Sequence, residues 1–354
     1  MAVVFVEGFD TYNGMLNTTA SAVGLAARWT ASYVTGSMVA GRFGGQGYRH
    51  TLPGDTNSVR LPGTYSSGCV GFALNAGAGY STGAGWYMFS LSYGGNTNTS
   101  AIINNPNQFA MTITGGLQIQ IYRGTTLLGT STTTLTAGVW AYIEIEFVIS
   151  DTVGEIRVYL NNDPTPVINL SGIDSKGETA SGVQFINVSS LNVGSGQMIY
   201  DDMYFVDTPN RLGEQRIITS YPDSDVLTTY WSSSTSGAAP YTMIDEAQCD
   251  GDTTYVSSNT TNSRIVTGVP SLPVPPVSVN AVQITGFARK DETQLRQLAL
   301  EYQNTAGSVA TGPTYTLGTG YSYINDLMPQ NPLTGTGWTA TDVNNMRIGA
   351  RVVS

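Results

Sequence analysis

Three aspartates lie within ten residues in the stretch MIYDDMYFVD, residues 198–207, whose other residues are typical of a β-strand. Adjacent carboxylates are the groups needed for acid–base catalysis or for a Ca²⁺ site. Strand alternation, however, places Asp201 on one face and Asp202 on the opposite face. We therefore predict that they form no close carboxylate pair. We expect backbone N–H groups of an adjoining loop, or an arginine, to bind them.

A second acidic stretch, DEAQCDGDTTYV, contains Asp250 and Asp252 around an Asp-Gly turn signal. Its spacing does not match an EF-hand loop. A turn is the favoured interpretation. Asp201, Asp202, Asp250 and Asp252 are kept only as candidate ligands of a structural Ca²⁺ ion, and no other cofactor is expected.

The glutamates and the histidine that could take part in catalysis form no recognisable catalytic pattern in the sequence. Glu144 and Glu146 alternate with apolar residues and are predicted to lie on a solvated strand face. Glycosidases need two carboxylates at a set separation, which no single strand supplies here. The one histidine, His50, follows a Gly-rich stretch and is predicted to be a surface loop residue. We therefore expect a protein that is not an enzyme and assign no catalytic residue.

Composition narrows the class of partner. The 354-residue chain has a formal net charge of −10 and only 11% charged residues. Binding of nucleic acid or of an anionic membrane surface would require basic clusters, and we expect neither. The N-terminus lacks the pattern of a signal peptide. Cys69 and Cys249 are too few and too far apart for a disulfide framework and are predicted to be free thiols.

The clearest structural signal is the hairpin WAYIEIEFVISDTVGEIRVYLNND, residues 140–163. Period-two alternation puts its isoleucines and a phenylalanine on one face. It also allows Arg157 to pair across the strands with Glu144 or Glu146. Further strands are predicted over residues 2–10, 69–74, 86–93, 109–114, 117–122, 127–134, 183–188 and 198–206.

These short strands predict an all-β fold, with a sandwich domain over residues 1–208 and a smaller β domain over 209–354. In the smaller domain QLRQLALEYQN is predicted to be a strand. A helix is expected to begin at Thr339, its N-cap, with Asp342 completing a capping box. RIGARVV is predicted to be the last strand.

The first domain resembles the concanavalin A-like, laminin-G-type jelly roll. The similarity lies in the opening FVEGFD, the hairpin WAYIEIEFVI…GEIRVYLNN and the closing YDDMYFVD. It implies an N-terminal concanavalin A-like jelly-roll sandwich. It implies little about function, because this fold serves lectins, adhesion modules, glycosidases and viral proteins alike.

The whole chain also resembles virion proteins of tailed bacteriophages. The stretches that carry this similarity are CDGDTTYV, VNAVQITGFARKD and the tail NPLTGTGWTATDVNNMRIGARVV. The resemblance implies a structural role in the virion, assembled in the host cytoplasm, as capsid decoration or as a tail or baseplate component. The implied partners are other virion proteins and further copies of the chain. A carbohydrate-binding receptor module for a host glycan is the alternative, and a polysaccharide depolymerase is the third hypothesis.

Aromatic residues in predicted loops are the best candidates for a contact surface. Tyrosine and tryptophan anchor protein interfaces and also stack on sugars. The candidate contact residues are Tyr80, Trp86, Tyr93, Trp231, Tyr241 and Tyr321.

Overall fold

The computed structural model divides the chain into two compact units. The first unit comprises residues 1–9 and 14–217, and the second comprises residues 10–13 and 218–354. Strands account for nearly all of the regular structure. The residues described by the structure are 1–12, 28–31, 36–50, 56–77, 87–94, 107–177, 179–180, 182–189 and 198–354.

The first unit is built from two antiparallel sheets. One has eight strands, in the order β13-β12-β11-β6-β15-β4-β3 with β1 also paired to β15, and the other has seven, in the order β10-β9-β8-β7-β14-β5-β2. The strands are β1 Val3–Glu7, β2 Thr30–Ala31, β3 Ser37–Ala40, β4 Gln46–His50, β5 Thr56–Tyr65, β6 Ser67–Ala76, β7 Phe89–Ser92, β8 Phe109–Ile113, β9 Gln118–Arg123, β10 Thr126–Thr134, β11 Trp140–Val148, β12 Gly154–Leu160, β13 Ile168–Ile173, β14 Val183–Ser189 and β15 Met198–Val206.

Aromatic side chains join the two sheets face to face. Phe72 of β6 stacks on Phe89 of β7 with 4.8 Å between ring centroids. Phe147 of β11 packs on Phe109 of β8 at 5.5 Å. Such contacts across two inner faces define a β-sandwich. The predicted sandwich is therefore confirmed, as is the hairpin, in which β11 pairs antiparallel with β12.

The second unit is smaller and also β-rich. Its main sheet has five strands in the order β16-β19-β24-β21-β22, and two further pairs are β17-β18 and β20-β23. The elements are β16 Ser224–Thr229, β17 Ser232–Ser233, a 3-10 helix Pro240–Met243, β18 Val256–Ser257, β19 Arg264–Gly268, β20 Val282–Ala288, β21 Gln297–Asn304, β22 Val309–Thr316, β23 Ser322–Met328, α1 Ala340–Asn344 and β24 Met346–Val352.

Local signals in the second unit are confirmed. QLALEYQN forms β21, and β24 covers most of RIGARVV. Thr339 is the N-cap of α1, and its side chain and that of Asp342 form the reciprocal capping box. The core lies over the main sheet, where Tyr302 meets Trp338 edge to face at 5.1 Å. The all-β fold, a sandwich followed by a smaller β unit, is the one that the sequence predicts.

Candidate functional site

The two adjacent aspartates lie at a β-bulge. In the pairing of β15 with β6, Asp201 faces Ala73 but Tyr204 faces Gly71, so that two residues oppose Phe72 alone. Asp202 is the residue that absorbs the bulge, with φ of 49°. Aspartate is one of the few residues that adopt this left-handed conformation readily. The bulge breaks the simple alternation of the strand. The prediction that the two carboxylates lie on opposite faces is therefore wrong.

Both carboxylates reach Arg42 instead. Asp201 Oδ2 accepts a hydrogen bond of 2.7 Å from the Arg42 backbone N–H. Asp202 Oδ2 lies 3.5 Å from Arg42 Nη1, and Asp202 Oδ1 accepts the Ile217 N–H at 2.7 Å. The Arg42 guanidinium also pairs with the Glu214 carboxylate. These are the partners expected from the sequence, an arginine and backbone amides of an adjoining segment.

The glutamates of β11 are buried as well. Only 1% of Glu144 and 8% of Glu146 is exposed, so the prediction of a solvated face is wrong. Glu144 Oε1 accepts the Gly213 N–H at 2.8 Å, and its Oε2 lies 3.4 Å from Arg211 Nη1. Glu146 Oε1 accepts the Arg211 backbone N–H at 3.1 Å. The predicted cross-strand pair is found at Glu146, whose Oε2 lies 3.7 Å from Arg157 Nη1.

One segment of chain explains this burial. Residues 207–217, which we call the strap, cross the outer face of the eight-stranded sheet. The strap amides of Arg211, Gly213 and Ile217 donate to carboxylates of β11 and β15. Charge-assisted bonds of this type are about twice as strong as neutral ones. The acids of this face therefore hold a backbone segment in place.

The electrostatics agree with a closed polar cluster. Burial raises the pKa of the Glu144 carboxyl, against the opposing effects of its bonds to Tyr204 and Arg211. Burial also raises the pKa of the Cys69 thiol well above its ordinary value. The Cys69 Sγ lies 3.6 Å from the Tyr204 hydroxyl, and both cysteines are free thiols, as predicted. A protonated, buried thiol is a poor nucleophile.

Replacement of Glu144 by alanine tests the role of this cluster. We expect the free energy of unfolding to fall by about 2–3 kcal/mol, because the Gly213 amide and Arg211 lose a charged acceptor. Trypsin should then cleave faster after Arg211. Urea denaturation and limited proteolysis measure the two effects. The matched control is Glu155→Ala, which removes a half-exposed partner of Arg157 and should cost under about 1 kcal/mol. Equal losses for the two variants would contradict the assignment.

The histidine is not on the surface. His50 ends β4, is 1% exposed and lies 4.6 Å from the ring of Tyr48 and 6.1 Å from that of Tyr200. The predicted surface loop is therefore wrong. Burial lowers the pKa of the imidazole from 6.5 to about 3, so the ring is neutral near pH 7. The sequence also contains G-x-S-x-G at residues 79–83, the pattern that surrounds the nucleophilic serine of α/β-hydrolases. This stretch lies outside the described residues.

The acidic stretch of the second unit has structural partners. Asp252 Oδ1 accepts 2.9 Å and 2.8 Å bonds from Arg289 Nη2 and the Tyr321 hydroxyl, and these bonds lower the pKa of the carboxyl. Asp250 Oδ2 accepts a 2.9 Å bond from the Thr254 hydroxyl. Within the described ranges, no group of three or more His, Cys, Asp or Glu side chains is placed to hold a metal ion. A structural Ca²⁺ ion remains a prediction.

The aromatic contact candidates occupy different environments. Tyr321 is partly buried, with Phe287 stacked on its ring at 4.7 Å and the Arg289 guanidinium 5.1 Å from its centroid. Trp231 packs against the core of the second unit, and Tyr241 is partly buried in the 3-10 helix. Tyr93 is 42% exposed. Tyr80 and Trp86 lie outside the described residues.

The most exposed tyrosine among the described residues is one that the sequence analysis did not select. Tyr230 is 73% exposed and has φ of 59°, directly after the edge strand β16. Its local sequence, TTYW, carries no signal for this conformation. The neighbouring Trp231 has the same aromatic character but turns into the core.

Comparisons with known proteins give only distant likenesses. No family model matches the chain, and no curated protein does. Lectin II from Ulex europaeus is 12% identical, covering 58% of this chain and 100% of its own, with a TM-score of 0.37. The winged bean acidic lectin is 11% identical over 57% of this chain and 97% of its own, with a TM-score of 0.35. A pentraxin from Limulus polyphemus is 17% identical over 46% and 77%, with a TM-score of 0.28.

At these TM-scores the likenesses establish neither fold nor activity. The sandwich of the first unit is defined by its own two sheets. Within the part of the chain that the structure describes, no helix combines the length and apolar character needed to cross a bilayer.

Proposed function

We propose that the protein is a non-enzymatic structural component of a tailed-bacteriophage particle. It would serve as capsid decoration, or as part of the tail or baseplate, and act through protein–protein interfaces. The observation that carries the non-enzymatic part is the strap, because its backbone amides donate to the buried carboxylates of Asp202, Glu144 and Glu146. The virion part is supported by the resemblance of CDGDTTYV, VNAVQITGFARKD and the C-terminal tail.

An exposed edge in the second unit supports a contact with a neighbouring protein. β16 is the terminal strand of the five-stranded sheet, and its residues are largely exposed. Val226, Leu227 and Tyr230 present apolar surface there, at 39%, 39% and 73% exposure. Edge strands with apolar side chains pair readily with other chains, and tyrosine is enriched at interface hot spots.

A charge-introducing double variant tests the assembly role. Leu227→Asp/Tyr230→Asp should reduce the copies of the protein per particle by about tenfold or more, because carboxylates would be desolvated in the contact. A phage lacking the gene would be complemented in trans, and copies per particle counted by quantitative mass spectrometry. The control is Val153→Asp, an equally exposed apolar position in the turn between β11 and β12 of the first unit.

A particle reconstruction would place the protein directly. A position repeated over the whole capsid lattice would identify decoration, and a position at one vertex or at the tail tip would identify a tail or receptor-binding role. Absence of the protein from purified particles would refute the proposal.

The alternative is a carbohydrate-binding receptor module. The exposed ring of Tyr93 in the first unit is the described feature that favours it, since exposed aromatic faces stack on sugars. A defined glycan on an array, with affinity lost on Trp86→Ala or Tyr93→Ala, would support this alternative. Turnover of host capsule would instead indicate a depolymerase.

A further inference from the structure

A small cleft with both polar and apolar lining lies in the second unit. It has a volume of about 200 Å³ and lies between the β21–β22 turn and α1. At roughly 30 Å³ per water it would hold about seven waters. It is smaller than the roughly 300–1,000 Å³ of sites for drug-sized ligands. Its size therefore suits a single small ring.

The floor of the cleft is a buried hydrogen-bonded network. Tyr302 and Asn331 are each 2% exposed. The Asn331 Oδ1 accepts the Leu333 N–H at 3.0 Å. Asp342 is fixed by the capping box, because its Oδ2 accepts the Thr339 N–H and hydroxyl at 2.9 Å and 2.7 Å. These groups are held in place before any ligand arrives, which reduces the entropy cost of binding.

The rim presents polar side chains to solvent. Thr305, Thr341 and Asn345 line the cleft and are exposed. Asn304 also lines it, and its Oδ1 accepts the Ser308 N–H at 2.9 Å, so its NH₂ group is a further donor. Leu333 supplies an apolar wall. Amide donors, hydroxyls, one carboxylate and an apolar wall are thus combined around one ring-sized space.

The chemistry of the lining selects the class of ligand. Lys, Arg and His are absent from the described lining, so a phosphate or carboxylate would find no counter-charge. A single carboxylate is a poor Ca²⁺ site, since that ion takes 6–8 oxygen ligands. Sugar hydroxyls both donate and accept, and the C–H face of a pyranose is apolar. We infer that this cleft binds one neutral monosaccharide ring, free or as the end of a glycan.

Saturation-transfer-difference NMR on the full chain tests this inference. The probes are glucose, galactose, mannose, N-acetylglucosamine, fucose and rhamnose, with glucuronic acid as the charged comparison. At least one neutral sugar should give a saturable signal, with a Kd in the roughly millimolar range expected for about 12 heavy atoms. Glucuronic acid should bind at least about tenfold more weakly, because Asp342 would repel its carboxylate.

Rim variants locate the binding site. Asn345→Ala should weaken binding by about tenfold. The matched control is Thr314→Ala, an equally exposed position on β22 outside the cleft lining, which should leave the Kd unchanged. Thermal unfolding checks that both variants fold. Absence of binding across the neutral sugars would overturn the inference. Sugar binding that is unchanged in Asn345→Ala would also overturn it. A response of the cleft residues to CaCl₂ alone would overturn it too, because it would indicate a cation site.

This inference is independent of the assembly role. The Asn345→Ala variant should enter particles as efficiently as the natural sequence, because Asn345 directly precedes β24, which β19 separates from the β16 edge. Loss of incorporation with the β16 double variant would leave sugar binding unchanged. The two proposals therefore fail separately.

Discussion

Replacement of Arg42 by methionine should lower the free energy of unfolding of the first unit by about 3–5 kcal/mol, the range for removing one partner of a buried ion pair. The Arg42 side chain is 9% exposed and lies 3.5 Å from Asp202 Oδ2. Its loss removes the cation that lies beside the buried Asp202 carboxylate. Methionine keeps the apolar stem that packs beside Tyr142, over which the guanidinium lies at 5.1 Å. Urea denaturation followed by fluorescence gives the difference.

Two comparisons make this result specific. Arg123→Met removes a more exposed arginine that pairs with Asp174 and should cost under about 1 kcal/mol. The triple variant Arg42→Met/Asp201→Asn/Asp202→Asn should recover part of the loss, because it also removes the two buried negative charges. A loss for Arg42→Met no larger than that of Arg123→Met would mean that the aspartates are solvated. Acid–base chemistry at this face would then have to be reconsidered.

The error at Asp201 and Asp202 has a local cause that the sequence does not display. Period-two reasoning correctly predicts the inner face of β11, where the alternation is regular. It fails in β15 because the bulge adds one residue to that strand. Part of the cause lies in the partner strand, β6. A Cβ added at Gly71 would lie 2.2 Å from the Tyr204 ring, so the bulged strand and this glycine fit together. Such a pairing depends on residues far apart in the chain.

The strap shows the same limit on a larger scale. Its turn formers and charges indicate a boundary between domains, and the composition gives no sign that its amides are donors to buried acids. Gly213 bonds Glu144 across 69 positions of sequence. The capping box at Thr339 and Asp342, by contrast, spans three residues and is predicted correctly. Local hydrogen bonds can be inferred from spacing, whereas those set by the sandwich topology cannot.

The β4 strand is an intermediate case. The glycines of GRFGGQGYRH suggest a loop, yet Tyr48 and His50 alternate with Arg49 and are buried while Arg49 is partly exposed. The period-two pattern spans only three residues there, and the glycines before it favour a loop. Burial of the one histidine has a measurable consequence.

Acidification from pH 7 to pH 4 should destabilise the first unit by about 3 kcal/mol through His50 alone, for a pKa of 6.5 in the unfolded chain and about 3 in the folded one. Between these values the unfolded chain binds a proton that the folded protein does not. The stability from the neutral imidazole is therefore complete above pH 6.5 and is lost as the pH falls towards 3. Urea denaturation at half-unit pH steps measures the slope.

The comparison with His50→Gln isolates this contribution. The variant keeps a polar side chain that does not titrate, so the carboxylates affect both proteins alike and cancel in the difference. The free energy of unfolding of the natural sequence, minus that of His50→Gln, should fall by about 3 kcal/mol between pH 7 and pH 4. Parallel profiles would mean that the imidazole takes up protons equally in both states, as an accessible ring does. An accessible histidine is what a proton-transferring site would need, so the same measurement also tests the non-enzymatic assignment.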